Sequence, residues 1–363
     1  MNYIKQLDSL RAIAVLLVII SHWILPTNAI NYIPNGAIGV DIFFVLSGFL
    51  ITRILFEARN NGEILNIPKL TILKNFYLRR TLRIFPIYYL AIFLLLIFAK
   101  STGTNIQSSY IYFLTYTSNF YFYNTQQWDG ILSHLWTLAV EEQFYLIWPL
   151  IILFINKKYL LHIAALFILT GIISQSVLDG IRMNVILTHT CFDAFGLGAI
   201  LSWIITYAPE KLKKFYSVIT YPAIGCLLLL IHGIVEHKWI LLPQRTLTSV
   251  VALWIITYIV LNSDRETFTF KVFLNNRVLM FLGKISYGIY LYHNIIPTMV
   301  NLKFINIYLN PLLPDLLFIT YWEQLFLLEN TMLLITISWL SYTIIEKRFL
   351  SLKKHYALQN EKQ

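Results

Sequence analysis

Residues 7–25 read LDSLRAIAVLLVIISHWIL, an apolar run broken by two costly side chains, Arg11 and His22. A helix of about twenty apolar residues crosses a ~30 Å hydrocarbon core. At ~100° per residue, the step from Arg11 to His22 is about three turns, so both fall within ~20° of one face, with roughly 16 Å of rise between them. The plainer account has Arg11 snorkelling to one interface and His22 closing the other end. Ionisable residues inside a membrane helix instead mark functional sites, and two on one face suggest a polar seam turned into a bundle.

The rest of the chain supports the seam. Of its residues 58% are hydrophobic and only 13% charged, against roughly 25% charged in a soluble domain. Apolar runs long enough to span recur at about 7–25, 36–55, 83–99, 132–155, 159–177, 191–207, 216–234, 246–262, 281–300 and 324–345. The expected fold is all-α: a polytopic bundle of about ten transmembrane helices with both termini cytoplasmic. One transmembrane domain covers 1–350, a basic cytoplasmic tail follows at 351–363, and no appended soluble domain is expected. The net charge of +10 does not point to nucleic acid. Lys and Arg sit between the apolar runs, which is the positive-inside pattern. Only Lys100, Arg182, Lys238, Arg245 and Lys303 fall on the outer side of this topology. Cys191 and Cys226, the two cysteines, lie in apolar surroundings and imply neither a disulfide framework nor a metal cluster. The first run lacks a small-residue cleavage site and reads as a retained helix.

Asp8 and Arg11, three apart, can pair on one helix face. The loop after helix 1 is short, so Asp41, early in helix 2, should lie at the depth of His22. There it could orient the imidazole or merely cap its own helix. Residues 53–83 read as a basic cytoplasmic loop, with Pro86 in the first turn of helix 3. Arg80 and Arg83 share a face at its mouth, where guanidinium forks suit a phosphate-bearing ligand. Simple topological anchoring is the commoner use of such a cluster. The aromatic stretch 100–131 reads as interfacial. In helix 4, His134 and Glu141 are seven apart and share a face, whereas Glu142 is rotated ~100° away. Glu141 is therefore the expected inward carboxylate.

His22, His134 and His293 lie toward the outer halves of separate helices, near Asp41, Glu141 and Asp193. A histidine beside a carboxylate is a general-base arrangement. No HxxxH or HExxH spacing points to a metal. Two readings follow from the chemistry: a membrane enzyme that takes a phosphate-bearing donor from the cytoplasm, or a transporter or proton-coupled exporter using the same buried charges. Neither an internal repeat nor matched Gly/Pro-broken helices is apparent, which favours the enzyme.

Five stretches in order then carry a resemblance. They are Arg11 with His22, GVDIFFVLSGFLIT (39–52), RRTLRIFPIYY (79–89), LWTLAVEEQFYLIWP (135–149) and GKISYGIYLYH (283–293). Together they resemble the acyltransferase-3 family of integral membrane O-acyltransferases of bacterial surface polysaccharides, over essentially the whole chain. The resemblance implies a multi-pass protein of the bacterial inner (plasma) membrane. It implies transfer of an acyl group, usually acetyl, from cytoplasmic acyl-CoA to a hydroxyl of a glycan or lipid-linked glycan such as lipopolysaccharide O-antigen or exopolysaccharide. Arg11 and His22 match the family's Arg/Lys-x10-His motif, Arg80 and Arg83 its arginine pair, and Glu141 its helix 4 glutamate. The expected catalytic set is His22, Asp41, Glu141 and His134. The expected donor-binding set is Arg11, Arg80 and Arg83, with acyl-CoA as co-substrate and no metal. Many family members add a C-terminal hydrolase-like domain. Its steps would here be absent or done by a partner, which favours a lipid-linked or nascent glycan acceptor.

Overall fold

A computed structural model describes residues 3–263, 273–309 and 315–352. Among them every regular element is helical. Helix α1 is Gln6–Trp23, α2 Asn35–Ile64 and α3 Lys69–Ile97. Three short helices follow: α4 Ala99–Thr102, α5 Ile106–Leu114 and α6 Ser118–Thr125. A 3₁₀ segment, Gly130–Leu135, leads into α7, Trp136–Phe154. Then come α8 Lys157–Val177, α9 Phe192–Tyr207, α10 Leu212–Glu236 and α11 Gln244–Leu261. The last are α12 Arg277–Lys284, α13 Ser286–Tyr292, a π-helical stretch Pro297–Leu309, α14 Asp315–Ser341 and α15 Lys347–Leu352. Among the described residues nine helical stretches are long and apolar enough to cross a membrane. The chain is a polytopic helical membrane protein. The expected basic tail lies outside the described residues from 353 on, as do Arg265 and Lys271 of the expected 263–280 loop.

Helix α2 is the most enclosed of the spans, and α8 and α10 are among the least. Small residues allow that central position. A Cβ on Gly48 of α2 would collide with the carbonyl oxygen of Phe195 on α9, and one on Gly198 of α9 with that of Val45 on α2. The two backbones approach as closely as small residues permit, which is how membrane helices gain packing without a hydrophobic drive. Trp148 on α7 locks against the same helix, its Nε1 donating to Thr52 Oγ1 at 2.7 Å.

Three expectations change. The basic loop 53–83 is mostly helix: α2 runs on to Ile64 and α3 begins at Lys69. The extension carries its own i,i+4 pairs, Arg53–Glu57 and Arg59–Glu63, which support a helix outside the apolar core. Pro86 accordingly lies inside α3, not in its first turn. The expected continuous helix at 281–300 is interrupted around Ile285 and again after Tyr292. The second break has a covalent cause. Pro297 has no N–H to give the carbonyl of His293 four residues back, and Trp23 Nε1 donates to that carbonyl instead, at 2.8 Å.

Candidate active site

Three neighbouring cavities with shared wall residues lie within the bundle. The largest, about 900 Å³, is lined by His22, Asp41, His134 and Arg245, with Trp128 and Trp239 also in its wall. A narrow one of about 100 Å³ is lined by Arg11, Arg80, Arg83, Glu141 and Glu142. A third, about 260 Å³, is lined by Asp8, Arg53 and the same three arginines. Val40 and Tyr290 belong to the walls of both the first and the second. Arg11, Ser47, Arg80, Arg83 and Tyr145 are shared by the second and third. Arg11 and His22 thus stand in successive chambers of one seam, as their shared helix face predicts.

The histidine chamber is built by three elements. His22 comes from the last turn of α1, His134 from the 3₁₀ segment, and His293 from the break after α13. His22 Nδ1 and His293 Nε2 are 2.8 Å apart, with the rings stacked at 4.9 Å. His293 Nδ1 lies 2.6 Å from the carbonyl oxygen of Tyr290. The His134 ring is edge-on to His293 at 4.7 Å. Its Nε2 is 3.2 Å from the Leu291 carbonyl and its Nδ1 3.3 Å from Asn294 Nδ2. His134 and His293 are 3% and 0% exposed, whereas His22 is open to the cavity. Among the described residues, Nε2 of His22 has no hydrogen-bond partner.

Asp41 faces the same cavity but does not orient His22. Its Oδ1 accepts from Arg245 Nε at 2.9 Å, and Arg245 also donates from Nη1 to the Thr190 carbonyl. Arg245, expected on the outer side, is buried. Asp193 stands apart, its Oδ2 accepting from Thr246 and Gln175. Of the two roles open to Asp41, orienting His22 is not seen, and the neighbour of His22 is a second imidazole, His293.

The basic side chains in and around the arginine chambers differ in their partners. Arg59 donates from Nη1 to the carbonyls of Ile152 and Ile155 at 2.6 and 2.8 Å, closing the end of α7. Lys157 pairs with Glu63. Arg11 pairs with Asp8 at 3.3 Å, as their spacing predicts. Arg80 lies over the rings of Phe76 and Tyr145, 5.6 and 5.5 Å from their centroids. Among the described residues neither Arg80 nor Arg83 has a carboxylate partner, and both forks line the cavity wall. Glu141 accepts from Ser47 Oγ at 2.6 Å, and Tyr145 donates to that hydroxyl at 3.1 Å.

Glu142 also lines this chamber, with Oε1 buried and unpartnered among the described residues. The expectation that only Glu141 turns inward is corrected on that point. His134 and Glu141 do not lie on one α-helix. The 3₁₀ segment that holds His134 turns in three residues, so angles counted across the junction drift. The expected catalytic set includes His22 and His134 but not His293. Its signal was Pro297, four residues on, which breaks the helix at the ring that touches His22.

The acyltransferase domain family, acyltransferase-3, matches residues 4–345. The chain is 34% identical over 323 residues to a candidate O-acetyltransferase of Staphylococcus aureus (strain COL), covering 81% of this chain and 50% of that protein. It is 32% identical over 318 residues to the peptidoglycan O-acetyltransferase OatA of Listeria monocytogenes serovar 1/2a (strain ATCC BAA-679 / EGD-e), covering 80% and 49%. It is 33% identical over 324 residues to YrhL of Bacillus subtilis (strain 168), a candidate peptidoglycan O-acetyltransferase, covering 80% and 48%. The chain spans about half the length of these curated relatives. No solved structure matches it. A match across nearly the whole chain, the five motifs in order and a helical bundle with His22 and Arg11 on one seam have one common account: the chain belongs to the acyltransferase-3 family of integral membrane proteins.

Proposed function

We propose that the protein is a membrane O-acyltransferase that takes an acetyl group from acyl-CoA at its basic end and delivers it to a glycan hydroxyl in the histidine chamber. The observation that carries this reading is the row of neighbouring cavities, sharing wall residues, from Arg80 and Arg83, past Arg11, to His22. The phosphates of the donor dock on the forks of Arg80 and Arg83, which no carboxylate among the described residues engages and whose geometry suits them. The pantetheine arm threads past Arg11, and the roughly 16 Å of helix rise between Arg11 and His22 is comparable to its length. The basic end faces the cytoplasm by the positive-inside pattern.

His22 acts as general base. Its Nε2 removes the proton of the acceptor hydroxyl as that oxygen attacks the thioester carbonyl. The C–S bond breaks, and the leaving thiolate takes the proton back from the imidazolium to depart as CoA thiol. The oxygen ester remains on the acceptor. Trp128 and Trp239, 47% and 36% exposed in the cavity wall, supply flat faces for a sugar ring. The names of the Listeria and Bacillus relatives support peptidoglycan among the acceptors, beside lipopolysaccharide O-antigen and exopolysaccharide.

The test supplies radiolabelled acetyl-CoA to the basic-end side of sealed, oriented vesicles containing a glycan acceptor. Wild type moves label into glycan on the far side and His22→Asn does not. Full transfer by His22→Asn overturns the base assignment. No transfer by either protein overturns the acyl-CoA reading and favours a transporter.

A further inference from the structure

We infer that His293 is a positioning residue that fixes His22 in the tautomer with its proton on Nδ1, leaving Nε2 as the free base facing the cavity. The inference rests on His22 being the base proposed above, but its geometry stands independently. A carbonyl oxygen only accepts hydrogen bonds. The 2.6 Å approach of His293 Nδ1 to the Tyr290 carbonyl therefore places a proton on His293 Nδ1. A neutral imidazole carries one N–H and one lone pair, so His293 Nε2 is the acceptor. The atom 2.8 Å from it is His22 Nδ1, which must then donate. The lone pair of His22 is left on Nε2, the one nitrogen of the pair without a partner among the described residues.

His134 is placed as a support for this pair: its Nε2 lies 3.2 Å from the Leu291 carbonyl oxygen and its Nδ1 3.3 Å from Asn294 Nδ2. Both nitrogens are occupied, and the ring is 3% exposed. His134 packs edge-on against His293 and holds that ring in place.

His293 thus does for His22 what a carboxylate does in a Ser-His-Asp arrangement, where the third group fixes tautomer and orientation. The register of His293 is set by the chain itself. Its own carbonyl, freed by Pro297, is tied to Trp23, the residue next to His22. Two bonds therefore join the end of α1 to the break after α13. One is between the two rings, and the other is from an indole to a backbone carbonyl. When Nε2 takes up the acceptor's proton, the imidazolium keeps its Nδ1–H bond to His293 Nε2, and no carboxylate is needed at that edge.

The experiment is ¹⁵N spectroscopy of histidine-labelled full-length protein in bilayers, with His22 assigned from the His22→Asn difference spectrum. Kinetics are measured on the same preparations. In wild type the neutral His22 ring carries its proton on Nδ1. In His293→Leu it reverts to the Nε2–H form, and kcat for acetyl transfer falls about 100-fold with the donor KM unchanged. His293→Gln, whose amide oxygen can accept at the position of the lost Nε2, retains the Nδ1–H form and most of kcat. A wild-type His22 protonated on Nε2 overturns the inference. So does an unchanged His22 tautomer in His293→Leu, or equal loss of activity in the Leu and Gln variants. The spectrum needs no turnover, so a wild type with no acetyl transfer would count against the proposed function and leave the tautomer to be read.

Discussion

Arg245 on α11 donates from Nε to Asp41 Oδ1 on α2 at 2.9 Å, with both side chains almost closed to solvent, at the wall of the histidine chamber. The pair joins two spans and shapes the cavity in which His22 stands. Breaking a buried pair leaves one desolvated charge without a partner, at a cost of about 3–5 kcal/mol, whereas replacing both members by apolar residues is often neutral. Asp41→Leu and Arg245→Met should therefore each lower the thermal unfolding midpoint sharply, and the double variant should recover most of the loss. A double variant as unstable as the sum of the singles would show that the two residues act separately.

The arginines near the basic end should separate by function. Arg80→Ala and Arg83→Ala each remove a fork that no carboxylate among the described residues engages, so each should raise the donor KM about tenfold or more with little change in stability. Arg59→Ala removes two bonds to the carbonyls that end α7. It should cost about 1.5–3 kcal/mol and leave the donor KM as it was. Donor saturation curves and thermal melts on the three proteins check this. A normal donor KM in both Arg80→Ala and Arg83→Ala would remove them from the donor site.

The α2–α9 contact gives a packing prediction with an internal control. Gly48→Ala and Gly198→Ala each push a methyl group into a facing backbone carbonyl, and overpacking of this kind costs about 1–3 kcal/mol. At Gly225, in α10, an added Cβ meets nothing. Gly225→Ala should be neutral or stabilising by up to about 1 kcal/mol, from helix propensity alone. Detergent-stability assays on the three variants would sink this reading if Gly225→Ala were the most damaging.

The aromatic wall of the histidine chamber should matter to the acceptor and not to the donor. Trp128→Ala and Trp239→Ala each remove a flat face worth about 0.5–1.5 kcal/mol. Each should raise the acceptor KM by about 2–10-fold, with the donor KM and the ¹⁵N signature of His22 unchanged. The acceptor concentration dependence of acetyl transfer is the measurement. An effect on the donor instead would mean that the chamber holds the thioester end and not the glycan.

Much of this was legible in the chain. Among the described residues nine of the ten expected spans appear as long helices, because twenty apolar residues can satisfy their backbone in a membrane only as a helix. The seam through Arg11 and His22 follows from helix period alone, and so does the Asp8–Arg11 pair. The extensions of α2 and α3 are hidden by their charge, which resembles that of a loop, although in α2 the i,i+4 pairs Arg53–Glu57 and Arg59–Glu63 carry the helix on. The break at His293 is written in Pro297, but its consequence depends on Trp23, which tertiary packing brings to the freed carbonyl.

The sequence by itself determined a polytopic helical membrane protein, its family, and which residues lie on one face of one helix. Tertiary structure alone decided which faces meet. It set His293 against His22 and Arg245 against Asp41, and it brought Glu142 into the chamber with Glu141. The physical reason is that helical periodicity fixes angles within one helix but not the rotation of one helix against another. That rotation is set by how closely backbones can approach, at places such as Gly48 and Gly198, and these contacts join residues far apart in the chain.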